Sequence, residues 1–301
     1  MPVKPVKTDA RLEAAIETWP LWASEKPEVV RAMQGGLTNR TYLLKDSAGQ
    51  YALRLNAPHS EALGIDRLQE RTALEQASSS GFAPQILYCN LEQGVLVTRF
   101  LTGKPWRESD FLNPDRIHQL VHLLKNIHRQ QIPGKALDLQ QKISGYLQAA
   151  EASPPLAKAL KRLQPRITHR IQEARILGGT HCLCHNDLVA SNLIQTGSRT
   201  IYAIDWEYAA MGDPFFELAV IMEGNRLDEP TARLLLAAYA GEEENEMALS
   251  IRITDAEQRL SLHRTIYNYI DLFWYAARYA SNATTDNEDE VIQKLEYCLG
   301  L

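Results

Sequence analysis

Two short segments between His185 and Glu207 restrict the fold of this chain more than any other part of it. The first, His185-Asn186-Asp187-Leu188-Val189-Ala190-Ser191-Asn192, sets an Asn five residues after an Asp. The second, Ile204-Asp205-Trp206-Glu207, puts another Asp at the end of the apolar run Ile201-Tyr202-Ala203-Ile204. Phosphoryl transfer needs such a set. One carboxylate orients and deprotonates the accepting hydroxyl, while an amide and a second carboxylate hold magnesium against ATP. Asp187 is the candidate base, and Asn192 and Asp205 are the candidate metal ligands. His185 is grouped with the catalytic loop, where bracing suits it better than chemistry, because phosphoryl transfer does not require it. A turn-capping Asp and Asn beside a buried strand is the plainer account of any one of these residues; their order along the chain argues for the site.

The pattern upstream and downstream predicts an α+β architecture in two lobes. Leu12, Ala15, Ile16 and Trp19 share one face of a helix over residues 10–20. Strands are expected at Val29 to Met33, Tyr42 to Lys45, Tyr51 to Leu55, Gln85 to Tyr88 and Val95 to Phe100, with a hairpin turn at Asp46-Ser47-Ala48-Gly49-Gln50. A helix is expected over 61–77, ending at Ser78-Ser79-Ser80-Gly81. Beyond Leu101-Thr102-Gly103-Lys104-Pro105 the chain turns helical: Ile117, Leu120, Val121, Leu124 and Ile127 line one face, and 136–176 read as mainly helical. A strand pair is expected within 182–208 and a helical tail after it. Residues 1–100 therefore predict a small β-rich nucleotide-binding lobe. Residues 101–301 predict a larger helical catalytic and substrate-binding lobe, with the active site in the cleft.

Composition narrows the function classes. The 301 residues are 45% hydrophobic and 23% charged, enough for a sizeable core. The net charge of −5 argues against a nucleic-acid partner, and no apolar run reaches membrane-spanning length. With no hydrophobic leader at Met1-Pro2-Val3-Lys4-Pro5, a cytoplasmic location is expected. Cys89, Cys182, Cys184 and Cys298 are too scattered for a disulfide framework. Cys182-Leu183-Cys184 between His181 and His185 suggests either a metal cluster or small residues on a strand entering the catalytic loop. The spacing favours the strand.

Further candidates surround the two motifs. Gln34-Gly35-Gly36-Leu37-Thr38-Asn39 offers either a Gly-Gly hairpin turn or a phosphate loop, in which Gly35 and Gly36 let the backbone approach and Thr38 and Asn39 add hydrogen bonds. Arg54 lies on a strand where a cation for nucleotide phosphates is wanted, and Glu70 on the next helix is placed to pair with it.

Together these residues resemble the choline/ethanolamine kinase and aminoglycoside phosphotransferase superfamily, which has a protein-kinase-like fold. The likeness spans residues 30 to 280 and is nearest the bacterial choline and thiamine kinases. Gly35-Gly36-Leu37-Thr38-Asn39 looks like its phosphate loop. Ala52-Leu53-Arg54-Leu55 and Ile65-Asp66-Arg67 with Glu70 resemble its nucleotide-clamping segment, and His185-Asn186-Asp187 and Ile204-Asp205-Trp206-Glu207-Tyr208 are similar to its catalytic motifs. Glu217 stands where many members carry Asp and is expected to support the catalytic loop.

The resemblance implies a quaternary ammonium held by aromatic faces and carboxylates, through cation–π attraction. Candidates are Glu207, Tyr208, Glu223 and Trp274, the last within 267–275, where five aromatics in nine residues cannot all face one side. The expected activity is ATP- and Mg2+-dependent phosphorylation of a small cationic alcohol, choline or ethanolamine first. Thiamine kinase and aminoglycoside-type phosphotransferase are the enzymatic alternatives. A catalytically inactive kinase-like binding module is the third, against which the intact Asp187, Asn192 and Asp205 argue.

Overall fold

The computed structural model describes residues 9–18, 26–33, 39–58, 60–179, 181–198, 200–241 and 246–282. Gly35, Gly36 and Thr38 of the candidate phosphate loop lie outside the described residues, as do Trp19 and Cys298.

The first helix, α1 (Ala10–Thr18), buries Leu12 and Ala15 against a five-stranded antiparallel sheet. That sheet runs in the order β1 (Glu28–Ala32), β2 (Asn39–Asp46), β3 (Gly49–Asn56), β5 (Val95–Arg99), β4 (Ile86–Asn90). The β2–β3 hairpin closes through Asp46. Its Oδ1 accepts from Ala48 N, Gly49 N and the Tyr51 hydroxyl, so a single acidic residue satisfies the turn. On one face Tyr42, Leu44, Tyr51, Leu53, Leu55 and Val97 make a compact apolar cluster with α1.

The single helix expected over 61–77 is in fact two pieces. A 3-10 turn covers Ser60–Leu63, Gly64 follows at φ +71°, and α2 (Arg67–Ser79) starts afresh. The restart is written in Asp66, whose side chain accepts from the amides of Leu68 and Gln69 at 3.0 Å each and caps the new helix. The 136–176 stretch is likewise divided into α4 (Leu139–Ala150) and α5 (Pro154–Leu177). Pro154 and Pro155 favour the start of a helix, where the missing N–H costs nothing.

The remainder is built from α3 (Pro114–His128), α6 (Pro214–Gly224), α7 (Glu229–Ala240) and the long α8 (Glu246–Asn282). Two small sheets lie among these helices. The expected strand pair within 182–208 is one of them, β8 (Leu193–Gln195) with β9 (Ile201–Ala203), joined by β6 (Lys104–Pro105). The other pairs β7 (Cys182–Cys184) with β10 (Ala210–Gly212). Apolar packing does not stop where the chain crosses near residue 101. Ala73, Leu74 and Phe82 belong to the same cluster as Leu120, Leu124 and Trp206, so α2 is seated on the helical part as well as on the sheet. Helix α6 is the centre of the molecule: Phe216 through Met222 are all buried, which is why so apolar a segment carries only one acid, Glu217, in its interior. No helix among the described residues is long and apolar enough to cross a membrane.

Candidate active site

β7 delivers the chain into the loop that holds Asp187, and α6 holds that loop in place. Glu217, fully buried, accepts from the amides of His185 (2.8 Å) and Asn186 (2.9 Å) through Oε1, and from His128 Nε2 (2.6 Å) through Oε2. The longer arm of Glu therefore reaches the loop backbone. At the far end of α6, Asn225 accepts from Ala190 N at 2.7 Å and donates to the Leu188 carbonyl at 3.1 Å. Asn186 adopts φ +61°, an unusual conformation for a residue with a side chain, which the flanking hydrogen bonds hold.

His185 is entirely buried and does not line the cavity. Its Nε2 bonds the Ile204 carbonyl at 2.9 Å and its ring rests 4.6 Å from that of Trp206, tying the Asp187 loop to the Asp205 loop. Burial holds its imidazole below the ordinary histidine range, so it is neutral. It is a brace. The Cys182–Cys184 pair is packing too. Their sulfurs lie 3.8 Å apart and His128, from α3, joins them, but His128 spends its ring nitrogens on Glu217 and on the Tyr239 hydroxyl. Neither His181 nor His185 belongs to that cluster.

Asp187, Asn192 and Asp205 come together on one cavity of about 460 Å3, as do Glu207, Tyr208, Glu223 and Trp274. Asn192 Nδ2 donates to Asp187 twice, to the carbonyl and to Oδ2, both at 2.9 Å, so its amide oxygen faces away from that carboxylate. Burial, reinforced by Asp205 and Glu207, pushes the Asp187 carboxyl well above the usual range, against the pull of Asn192 and Lys142. Burial and Glu207 likewise push Asp205 up to about 7, with Arg54 opposing them. Carboxylates crowded in this way, with an amide oxygen beside them, are a hard all-oxygen donor set that suits a divalent cation such as magnesium.

Arg54, from β3, is deeply buried and divides its guanidinium three ways: Asn56 Oδ1 at 3.1 Å, Glu70 at 2.5 Å and Asp205 Oδ1 at 3.1 Å. Burial weakens its charge, but Glu70, Asp205 and Glu207 outweigh that and raise its pKa above the ordinary arginine value. The Arg54–Glu70 pair expected from the sequence is present. Asn39 does something the sequence did not suggest. Its Nδ2 donates to Glu207 Oε2 at 2.7 Å, and its Oδ1 accepts from Arg67 Nη2 at 2.9 Å. Arg67 also bridges Glu70 (2.8 Å) and Glu207 (3.0 Å). Glu207 thus lines the cavity while tying β2 and α2 to the Asp205 loop. Glu223 is committed as well, to Arg264 by a short ion pair and to Asn268 at 3.1 Å.

Aromatic rings line this cavity, and two of them lie beside the protein's own cations. Trp274 Nε1 donates to the Tyr208 hydroxyl at 2.9 Å, fixing both rings. Lys142, from α4, places its ammonium 4.6 Å from the centre of the Tyr208 ring, and Arg278 lies 5.4 Å from that of Trp274. Lys142 and Tyr146 escaped sequence reading because nothing local marks them. They reach the site only through the packing of α4 on α8 and on the 60–64 turn.

Comparison with known proteins finds relatives for most of the chain. The family model described as "Phosphotransferase enzyme family" (APH) matches residues 29–249. "Protein LicA" of Haemophilus influenzae is 26% identical over 245 residues, covering 80% of this chain and 70% of that protein. "Thiamine kinase" of Escherichia coli is 27% identical over 197 residues, covering 65% of this chain and 66% of that one. Among solved structures, choline kinase LicA from Streptococcus pneumoniae superposes with a TM-score of 0.74 at 21% identity, over 91% of this chain and 93% of that one. At that identity the likeness speaks to the protein-kinase-like fold.

Proposed function

Since the chain belongs to the APH phosphotransferase enzyme family, we propose that it is an ATP- and magnesium-dependent kinase for the hydroxyl of a small cationic alcohol, choline foremost. The observation that carries this is the meeting of Asp187, Asn192 and Asp205 on a cavity also lined by the rings of Tyr146, Tyr208, Tyr267 and Trp274. A volume of about 460 Å3 suits a small organic molecule. The H. influenzae relative shares the name LicA with the choline kinase of S. pneumoniae, which supports choline, and likeness to E. coli thiamine kinase supports thiamine as the second reading.

The chemistry asked of the chain is modest. Asp187 Oδ2 is held by Asn192, and the carboxylate accepts the hydrogen bond of the substrate O–H. This aims the oxygen lone pair at the γ-phosphorus of ATP. As the new O–P bond forms and the bond to the β–γ bridging oxygen breaks, the proton passes to Asp187. Asn192 and Asp205 would hold magnesium, which when bound supplies positive charge to the phosphates. Arg54 and Asn39, with the Gly35-Gly36-Thr38 segment, are assigned to the nucleotide side, where Glu70 orients Arg54. Positioning and charge neutralisation supply most of the acceleration.

The test is ADP release from Mg-ATP with choline, ethanolamine, thiamine and kanamycin offered in turn. One alcohol should stimulate release strongly, and Asp187→Asn should lower that rate by about 10²–10⁴-fold with the fold intact by circular dichroism. A near-normal rate in Asp187→Asn would overturn the assignment.

A further inference from the structure

The cavity contains a charge that the proposed function does not use. Lys142 is a half-buried lysine on α4, and among the described residues no carboxylate approaches its ammonium closely enough for an ion pair. It sits instead 4.6 Å from the ring centre of Tyr208 and 5.8 Å from that of Tyr146. Glu207 and Asp187 act on it only through space, and burial brings its pKa down to about 8. That is the environment a substrate ammonium would seek: aromatic faces for the cation, acids at longer range.

The turn above leaves room for this arrangement. A Cβ placed on Gly64 would lie 3.4 Å from both Cγ and Nζ of Lys142, and Gly64 has φ +71°, a conformation that glycine adopts freely. The 60–64 turn therefore closes directly over the Lys142 side chain, while Tyr208, pinned by Trp274, lies against its head. The lysine is held between the sheet-bearing and the helical parts of the molecule by shape and by the ring, not by a salt bridge.

We propose that Lys142 is a tethered cation that occupies the ammonium subsite of the empty enzyme, and that a cationic alcohol binds by displacing it from the face of Tyr208. This rests on the cationic-alcohol reading and deepens it. Lys142 becomes a specificity-determining residue: a head group gains the ring only if it holds it better than the tethered primary ammonium does. A quaternary ammonium suits that exchange. It carries no N–H group to leave unsatisfied, whereas the displaced lysine regains water for its three donors. Because the competent state is only the fraction in which Lys142 has left the ring, the apparent affinity is reduced by that fraction.

Tetramethylammonium, which has no hydroxyl and cannot be phosphorylated, is the probe. Binding is measured by calorimetry on the wild type and on Lys142→Met, which keeps most of the length and loses the charge. Reductive methylation of the wild type, read by peptide mass spectrometry, follows the exposure of Lys142 itself. Lys142→Met should bind the probe at least ten-fold tighter, and the probe should increase labelling of wild-type Lys142, the reverse of the protection a covering ligand gives. Equal or weaker binding by Lys142→Met overturns the displacement and leaves the cationic-alcohol reading standing, as does labelling that falls when the probe is added. Failure of both proteins to bind tetramethylammonium removes the cationic-alcohol reading and this inference with it.

Discussion

Asp205 is held at φ +63°, where residues with a Cβ seldom lie, and its carboxylate shares a confined space with Asp187 and Glu207. With its pKa raised to about 7, the folded chain keeps this proton between roughly pH 4 and 7, while the unfolded chain has already released it. The native state then binds more protons than the unfolded one, so this group's contribution to stability falls as pH rises through that window and levels off above it. Nearly a third of the Asp205 side-chain surface, 31%, still faces the cleft, which discounts the effect to about 1–2 kcal/mol. Urea melts of the metal-free protein test this against Asp205→Asn, which cannot ionise. Between pH 5 and pH 8 the variant should gain on the wild type by that amount, and a gap that stays constant would show that Asp205 ionises normally. Added magnesium should narrow the gap at pH 8 by stabilising the wild type selectively.

Among the elements, the Asp187 loop depends on α6 more than on its own sequence. Glu217 takes two loop amides and His128 at once, in a fully buried position. Glu217→Gln keeps the shape but turns one acceptor into a donor facing N–H groups, leaving buried donors unpaired. A loss of about 2–4 kcal/mol in urea unfolding is expected, with a lower kcat at little-changed KM for ATP. A stability loss without any kcat change would mean that the loop finds its shape unaided. The same contrast explains what could be read from the residues. His185 to Asn192 and Ile204 to Glu207 were legible because their geometry is local: a loop, a 3-10 turn and a strand end. The β2–β3 hairpin was legible through Asp46 and Gly49 for the same reason. The break at Gly64 was missed because the apolar spacing continues across it, although Asp66 carried the capping signal. Lys142 and Tyr146 had no local mark at all, and the partners of Glu207 and Glu223 lie 140 and 41 residues away at Arg67 and Arg264. Such pairings come from tertiary packing, which periodicity does not encode.

The whole molecule is held across its cleft by a charged junction as well as by apolar packing. Arg67 on α2 meets Glu70 and Glu207, Asn39 on β2 meets Arg67 and Glu207, and Arg54 on β3 meets Glu70 and Asp205. The side chains of Arg67 and Glu207 are 13% and 3% exposed, so water cannot replace a lost partner cheaply. Removing only the cation, in Arg67→Met, should therefore cost about 3–5 kcal/mol, because Glu70 and Glu207 keep buried charge without it. Removing the Glu207 charge as well, in the double variant with Glu207→Gln, should return part of that loss. The coupling from the double-mutant cycle is then about 1–3 kcal/mol. Additive losses would show that the sheet-bearing and helical parts are joined by the apolar cluster around Ala73, Leu74 and Phe82 alone. A coupled junction has a kinetic consequence too. Because Glu207 and Asp205 neighbour Asp187, the proposed base, loosening Arg67 should raise KM for ATP and lower kcat together, whereas a purely structural tie would leave the surviving folded fraction with wild-type constants.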